Sequence, residues 1–287
     1  MSYICGNYFK NLCRYSTDEE AWETSHSIKV NTNSSVDNNF FFIKTDLIPF
    51  IAQLAQQNPL TITEPLNIIT HNSDLVIDKN TFLLLTKSIP NIKRWYAQNI
   101  IYNHPTLHPL PIGIANDCWP HGRPEAFYKA SKQKLPKNNL VYANFNAQTN
   151  PKERLSCLKN LKGLKSSSPQ EVGYEIAQRT GYTGEQLQLE AHYSYLKKLA
   201  SSYFCISPEG NGPDCHRHWE ALYMQCVPII TNSIMASKLK SLGLPFMILE
   251  TWDDYGNLEL DDTLYHKTWR NFNPDTLKWK FFIKHDE

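Results

Sequence analysis

The sequence predicts an α/β protein with two Rossmann-like domains, each built on a parallel sheet, facing each other across a cleft. Three observations carry this reading. Short apolar runs alternate with stretches of helical spacing, the pattern of βαβ units. Polar clusters follow the apolar runs, and open parallel sheets bind ligands beyond the carboxyl ends of their strands. Between about Asn116 and Asn139 a polar stretch carries Pro120, Pro124, Pro136 and a lysine-rich run, and it separates one strand-and-helix series from the next. The expected division is therefore 1–125 and 126–287, with the aromatic C-terminal tail packing back on the first domain.

In chain order, the polar N-terminal part up to about Asp37 shows weak periodicity. Phe40–Ile43 is the first expected strand, followed by Lys44, Thr45 and Asp46. Leu47–Gln57 has helical spacing, with Leu47, Ile48, Ile51, Leu54 and Ala55 on one side. Leu66–Thr70 is the next strand, closed by His71, Asn72, Ser73 and Asp74. Ile92–Ala97 is another, ending at Gln98 and Asn99, and Pro109–Ile114 is extended. In the second half Leu140–Ala143 is a strand, and Pro151 opens a helix at the position where proline is favoured. A helix over about Gly184–Ser201 leads to the strand Tyr203–Ile206. Val227–Thr231, a helix near Ser233–Leu242 stopped by Gly243, and Pro245–Glu250 complete the series.

Composition narrows the function. The 287 residues carry a formal net charge of +1, with 41% hydrophobic and 20% charged residues. A dedicated nucleic-acid binder is usually clearly basic, so none is expected as a partner. No run approaches the roughly 20 apolar residues of a membrane span. The first ten residues lack the apolar centre of a signal peptide. Seven cysteines, an odd number without CxxC spacing, suit a reducing compartment, and a cytoplasmic protein is expected.

The densest chemistry lies in Ser207–Leu222, between two apolar runs. Gly210 and Gly212 allow close approach of backbone to a ligand. Asp214 can cap the helix that follows. A helix N-terminus offers N–H groups and partial positive charge to phosphate. Arg217 falls in the first turn and suits bidentate phosphate contacts. Glu220 falls about one turn later and can accept from sugar hydroxyls. Together these groups fit a sugar nucleotide. Arg154 in the Pro151 helix is a candidate second phosphate contact, competing with a solvated helix face. Asn144 follows a strand and could bond donor or acceptor.

The run Pro208, Gly210, Arg217, Trp219, Glu220-Ala221-Leu222 and Val227-Pro228-Ile229-Ile230 resembles the nucleotide-sugar half of the exostosin-like glycosyltransferases and the wider GT-B theme. Lys44-Thr45-Asp46, Thr70–Asp74, Trp95–Asn99 and Pro111–Asn116 are similar to small viral or microbial members. Two departures stand out. Gln225 occupies a position where related transferases often have glycine, and the loop between Glu209 and Glu220 is longer than in many retaining GT-B enzymes. Glu220 aligns as the ribose-binding carboxylate, and Glu209 is kept as a donor-side candidate.

The resemblance implies a GT-B hexosyl- or pentosyltransferase. It would move a sugar from a nucleotide diphosphate, UDP favoured, to a glycan hydroxyl. An inverting transfer needs a base for that hydroxyl. Asp74, His71 and Asp46 are the candidates, in that order. His216 could contact the nucleotide or donor sugar. His216 and His218 lie two apart on a helix and point to different faces, so no metal or other cofactor is expected. Two other readings stay open: a non-catalytic carbohydrate- or nucleotide-binding protein, and a phosphosugar or nucleotide hydrolase using His71 and Asp74.

Overall fold

A computed structural model describes residues 3–17, 27–33, 37–57, 64–161 and 185–283. The start of the expected helix at Gly184 lies outside the described residues. The chain divides into two α/β units. One takes in Ile4–Ile112 and the segment from Trp279 onward; the other takes in Gly113–Lys278 with Tyr3.

The first unit runs α1 (Gly6–Asn11), β1 (Cys13–Thr17), β2 (Ile28–Val30), β3 (Asp37–Lys44), α2 (Ile48–Gln57), β4 (Leu66–His71), α3 (Lys79–Ser88), β5 (Ile92–Ala97) and β6 (Leu107–Pro109). Its sheet has the order β2-β1-β3-β4-β5-β6, and all neighbours are parallel except the β1–β2 pair. Every residue of β4 is buried, as in a parallel strand covered on both faces. Buried Thr70 on that strand accepts from the Trp95 indole at 2.9 Å, and Phe82 of α3 stacks on Trp95. Asp78 caps α3 through the Thr81 N–H. Asn72 and Asn99, just past β4 and β5, have φ of 59° and 55°. Asparagine tolerates this left-handed backbone better than most residues.

The second unit runs α4 (Pro124–Lys132), β7 (Asn139–Ala143), α5 (Pro151–Asn160), α6 (Glu185–Ala200), β8 (Ser202–Ile206), α7 (His216–Tyr223), β9 (Val227–Thr231), α8 (Ile234–Ser241), β10 (Met247–Leu249) and α9 (Asp262–Arg270). Its four strands are all parallel in the order β10-β9-β8-β7. Val141, Phe204, Ile206, Val227, Ile229 and Trp252 form the centre of its core.

The division falls at Ile112–Gly113, earlier than 125/126, because the turn at Pro120–Gly122 and α4 lie against α6. His121 and Phe127 both meet the His192 ring of that helix. Tyr3 packs on Phe127 and Tyr223 of the same unit, while Trp279 packs on Tyr8 of the other. The stretch read as a boundary thus contains α4, whose Ala126, Phe127 and Ala130 face inward despite the surrounding lysines. In the stretch expected to be extended from Pro109, the strand β6 comes earlier and ends at Pro109. All seven cysteines are free thiols. No helix among the described residues is long and apolar enough to cross a membrane.

Two local features stabilise the second unit. Lys137 Nζ donates to the carbonyls of Ser202, Met224 and Gln225 at 2.7, 3.3 and 2.6 Å, joining the start of β8 to the end of α7. Burial brings this ammonium down to about 8. The Gln225 carbonyl also accepts from Tyr265 Oη, and its residue has φ of 54°. Left-handed backbone of this kind suits glycine better than glutamine.

Replacing Gln225 with Gly is expected to stabilise the protein by about 0.5–1 kcal/mol, because the Cβ penalty of left-handed backbone exceeds the entropy that glycine adds to the unfolded chain. Gly122→Ala should cost roughly 1–3 kcal/mol, since a Cβ there would lie 2.2 Å from the Asn116 carbonyl oxygen and 2.4 Å from that of Ala115. Gly256→Ala, where a Cβ meets nothing within 4 Å, serves as the control. Urea denaturation of the three variants checks the set.

Candidate functional site

The loop after β8 and the first turn of α7 are organised by a buried ion pair. Asp214 Oδ1 lies 3.2 Å from His218 Nδ1, one helical turn on, and both side chains are sealed from solvent. Asp214 also accepts from the Trp219 indole at 2.9 and 3.1 Å. His218 Nε2 donates to the Ser207 carbonyl at 3.1 Å. The Cys215 N–H also points at Nδ1, at 3.4 Å, so the charge on His218 is set by the groups around the ring rather than by its hydrogen bonds alone. Burial opposes its charge, but Cys215 and Asp214 outweigh that and push it up to about 10. The N-cap of α7 is Cys215, not Asp214, because the carboxylate is turned toward the indole and the imidazolium. Burial would raise the Cys215 thiol, yet His218 and Arg217 hold it down to about 7.

A second set of contacts holds the glycine loop. Arg154 of α5 is 5% exposed. Its Nε donates to the Glu209 carbonyl at 2.9 Å and its Nη1 to the Asn146 carbonyl at 2.6 Å. Arg154 therefore ties the loop after β8 to the loop after β7. Asn150 donates to the Gly210 carbonyl, and the Gly210 N–H donates to the Gly212 carbonyl. Gly210 spends its N–H inside the loop, and a Cβ there would come 3.4 Å from Arg154 Nη2. Gly210 and Gly212 are both buried. Glu209 is half-buried, and burial together with Glu153 raises its carboxyl. His216 Nδ1 donates to the Gly113 carbonyl at 2.7 Å.

What these contacts leave open is a pocket of about 280 Å³ within the second unit. Arg217 and Glu220 of α7, Asn144 after β7, and His192 and Tyr195 of α6 line it, with His121. The Arg217 Nε and Nη1 are buried and have no hydrogen-bond partner. Its guanidinium lies 5.8 Å from the centre of the Phe145 ring, which Arg154 approaches at 5.9 Å. Glu220 is 6% exposed and accepts from Tyr195 Oη at 2.9 Å. Burial raises its carboxyl, while the Tyr195 bond and Arg217 pull it back. Asn144 donates to Tyr142 Oη at 2.9 Å. The pocket thus offers a cation with unmet N–H groups, a carboxylate with one oxygen engaged, and amide and imidazole groups.

Sequence reading brings Arg217, Glu220 and Asn144 to this pocket. It misses His121, His192 and Tyr195. For His192 and Tyr195 the only signal is their spacing of three on a helix, which also describes ordinary core aromatics.

In the first unit, His71 is 2% exposed at the end of β4. Its Nε2 donates to the Pro111 carbonyl at 3.0 Å, and its Nδ1 accepts from the Asn72 N–H at 2.8 Å. Both ring nitrogens are engaged inside that unit. Asp74 is exposed in the turn that follows, where the Ser73 carbonyl accepts from Gln98. Asp46 lies 3.9 Å from Lys44 and is exposed. Among the described residues no cluster of three histidine, cysteine or acidic side chains is arranged to hold a metal ion.

No family model matches the chain, and no curated protein matches it. The exostosin-like resemblance therefore rests on the motif residues. A similar solved structure is an α,α-trehalose-phosphate synthase (UDP-forming) from Burkholderia vietnamiensis. It is 11% identical, with a TM-score of 0.47, over 84% of this chain and 72% of that one.

Asp214→Ala is expected to cost about 3–5 kcal/mol, because it leaves the buried His218 imidazolium without its counter-charge. A urea titration measures the loss. A cost below about 1 kcal/mol would show that the pair does not hold the loop.

Proposed function

We propose that this chain is a glycosyltransferase that moves a sugar from a nucleotide-diphosphate donor, a UDP-sugar in preference, to a hydroxyl of a glycan. The observation that carries the reading is Arg217, a half-buried residue that lines a pocket and whose buried Nε and Nη1 have no hydrogen-bond partner. A buried donor left unsatisfied is costly, and doubly so on a cation. An anion with oxygens spaced to meet two N–H groups removes that cost, and a diphosphate is such an anion. Glu220 stands one turn away with a free oxygen for ribose hydroxyls, while Tyr195 holds the other.

In this reading Arg217 binds the diphosphate more tightly as the glycosidic bond breaks and negative charge grows on the leaving group. Differential stabilisation of that kind accelerates the chemical step. The side chain itself carries the neutralising charge, so the transfer needs no metal ion. Arg154, Gly210, Gly212 and Asp214 act by shaping the loop, and Glu209 through its carbonyl. His216 anchors the start of α7 at Gly113. The acceptor hydroxyl loses its proton to Asp74, whose carboxylate is exposed. The hydroxyl oxygen then attacks the anomeric carbon on the face opposite the departing diphosphate, which inverts the configuration. His71, with both nitrogens engaged, positions the turn that carries Asp74, and Asp46 remains a surface partner of Lys44.

Calorimetry with UDP-, GDP- and CMP-sugars tests the donor. Arg217→Ala should weaken UDP-sugar binding by about 1.5–3 kcal/mol, roughly 10- to 150-fold. Arg217→Lys should recover little, because an ammonium lacks the planar fork. Wild-type protein that binds none of these donors, or an Arg217→Ala protein that binds as wild type does, sinks the reading. Asp74→Asn should lower kcat by roughly 10²–10⁴-fold with donor affinity intact. Transfer should proceed unchanged in EDTA.

A further inference from the structure

We propose that His192 is a second diphosphate-binding group of this pocket and that its ring takes up a proton as the donor binds. The inference rests on the donor reading above and adds a residue and a proton to it. His192 is 7% exposed on α6, and its Nε2 is buried with no hydrogen-bond partner. It lines the same pocket as Arg217, whose Nε and Nη1 are also buried without a partner. An unmet buried imidazole nitrogen is costly for the same reason as an unmet guanidinium, and an anion reaching Arg217 can satisfy both.

The groups facing the ring come from several elements. His121 of the Pro120–Gly122 turn meets it at 6.2 Å, Phe127 of α4 at 5.2 Å and Tyr195 of α6 itself at 5.8 Å. Arg217 and Glu220 of α7, with Asn144 after β7, complete the pocket. Burial, then His121, hold the ring's pKa down to about 4, so it is neutral in the empty pocket near pH 7. A bound diphosphate places negative charge beside it and favours the imidazolium. The step is a single protonation: one proton moves from solvent to the free ring nitrogen, and no other bond changes. His192 then shares with Arg217 the charge that develops on the leaving diphosphate.

UDP-glucose is the probe, because it has no terminal phosphate monoester to titrate near pH 6. Its binding to the full chain is followed by calorimetry near pH 6.5, in buffers of different ionisation enthalpy. The expected result is an observed enthalpy that varies with the buffer in the sense of proton uptake. Affinity should rise as pH falls, by up to about tenfold per pH unit. His192→Gln keeps an amide N–H in place but cannot titrate, so it should bind UDP-glucose with neither buffer dependence nor pH slope. In wild-type protein carrying ¹³C-labelled histidine, one ring should move to the imidazolium shift when UDP-glucose is added. Binding to wild type with a buffer-independent enthalpy and no shifted histidine overturns the inference and leaves the donor reading standing. The same linkage in His192→Gln also overturns it. If wild type does not bind UDP-glucose or any other nucleotide sugar, the donor reading falls and this inference falls with it.

Discussion

A guanidinium with two buried N–H groups that meet no acceptor sets the terms for the second unit. Loss of water works against the Arg217 charge, but Tyr195, Cys215, Cys205 and Glu220 outweigh it and raise its pKa, while its Nε and Nη1 have no hydrogen-bond partner. Glu220 is close enough to feel it electrostatically, yet that carboxylate is occupied by Tyr195. The other guanidinium nearby, Arg154, makes matters harder by repelling it. A fold optimised only for stability would have capped this charge with an acid or replaced it. What stays unmet is not its charge but two of its N–H groups, which are buried without an acceptor.

The segment that carries Arg217 divides its labour sharply. Asp214, His218 and Trp219 spend their polar atoms on one another and on Ser207, and they hold the first turn of α7. Arg154 uses its fork on the carbonyls of Asn146 and Glu209, far apart in the chain, and so keeps two strand-end loops together. These groups look reactive on paper, but the contacts account for them. Arg217, Glu220 and His192 face the pocket with capacity left over. Which charged residue binds a ligand is decided here by what remains after the scaffold has taken its share.

Much of this was legible in the sequence because it follows from period and punctuation. The central strands of both sheets are dense apolar runs; β4, β5, β7, β8 and β9 appear within a residue of the expected bounds, and β3 starts three residues before Phe40. Pro151 and Ser233 mark helix starts by ordinary end chemistry. The elements that escaped are those whose pattern is diluted. In α3 the run Leu83–Leu85 fills both faces, so the true inward positions, Phe82 and Leu85, do not stand out. In α4 the lysines conceal a narrow apolar stripe. At the site, Arg217 and Glu220 were visible because a loop and a helix lie next to each other in sequence. His121 and His192 come from separate stretches, and only the folded second unit brings them together. Asp214 was placed correctly in the loop but given the wrong partner, since its choice between a backbone N–H and an imidazole four residues on depends on packing against Trp219.

The way the chain is apportioned has an evolutionary and practical corollary. It passes from one unit to the other at Tyr3–Ile4, at Ile112–Gly113 and at Lys278–Trp279. Neither unit is a single uninterrupted stretch, and each holds a piece contributed by a terminus. A recombination event or an expression boundary at any one point would therefore deliver a half missing part of itself. Neither unit can be taken out whole by a single cut.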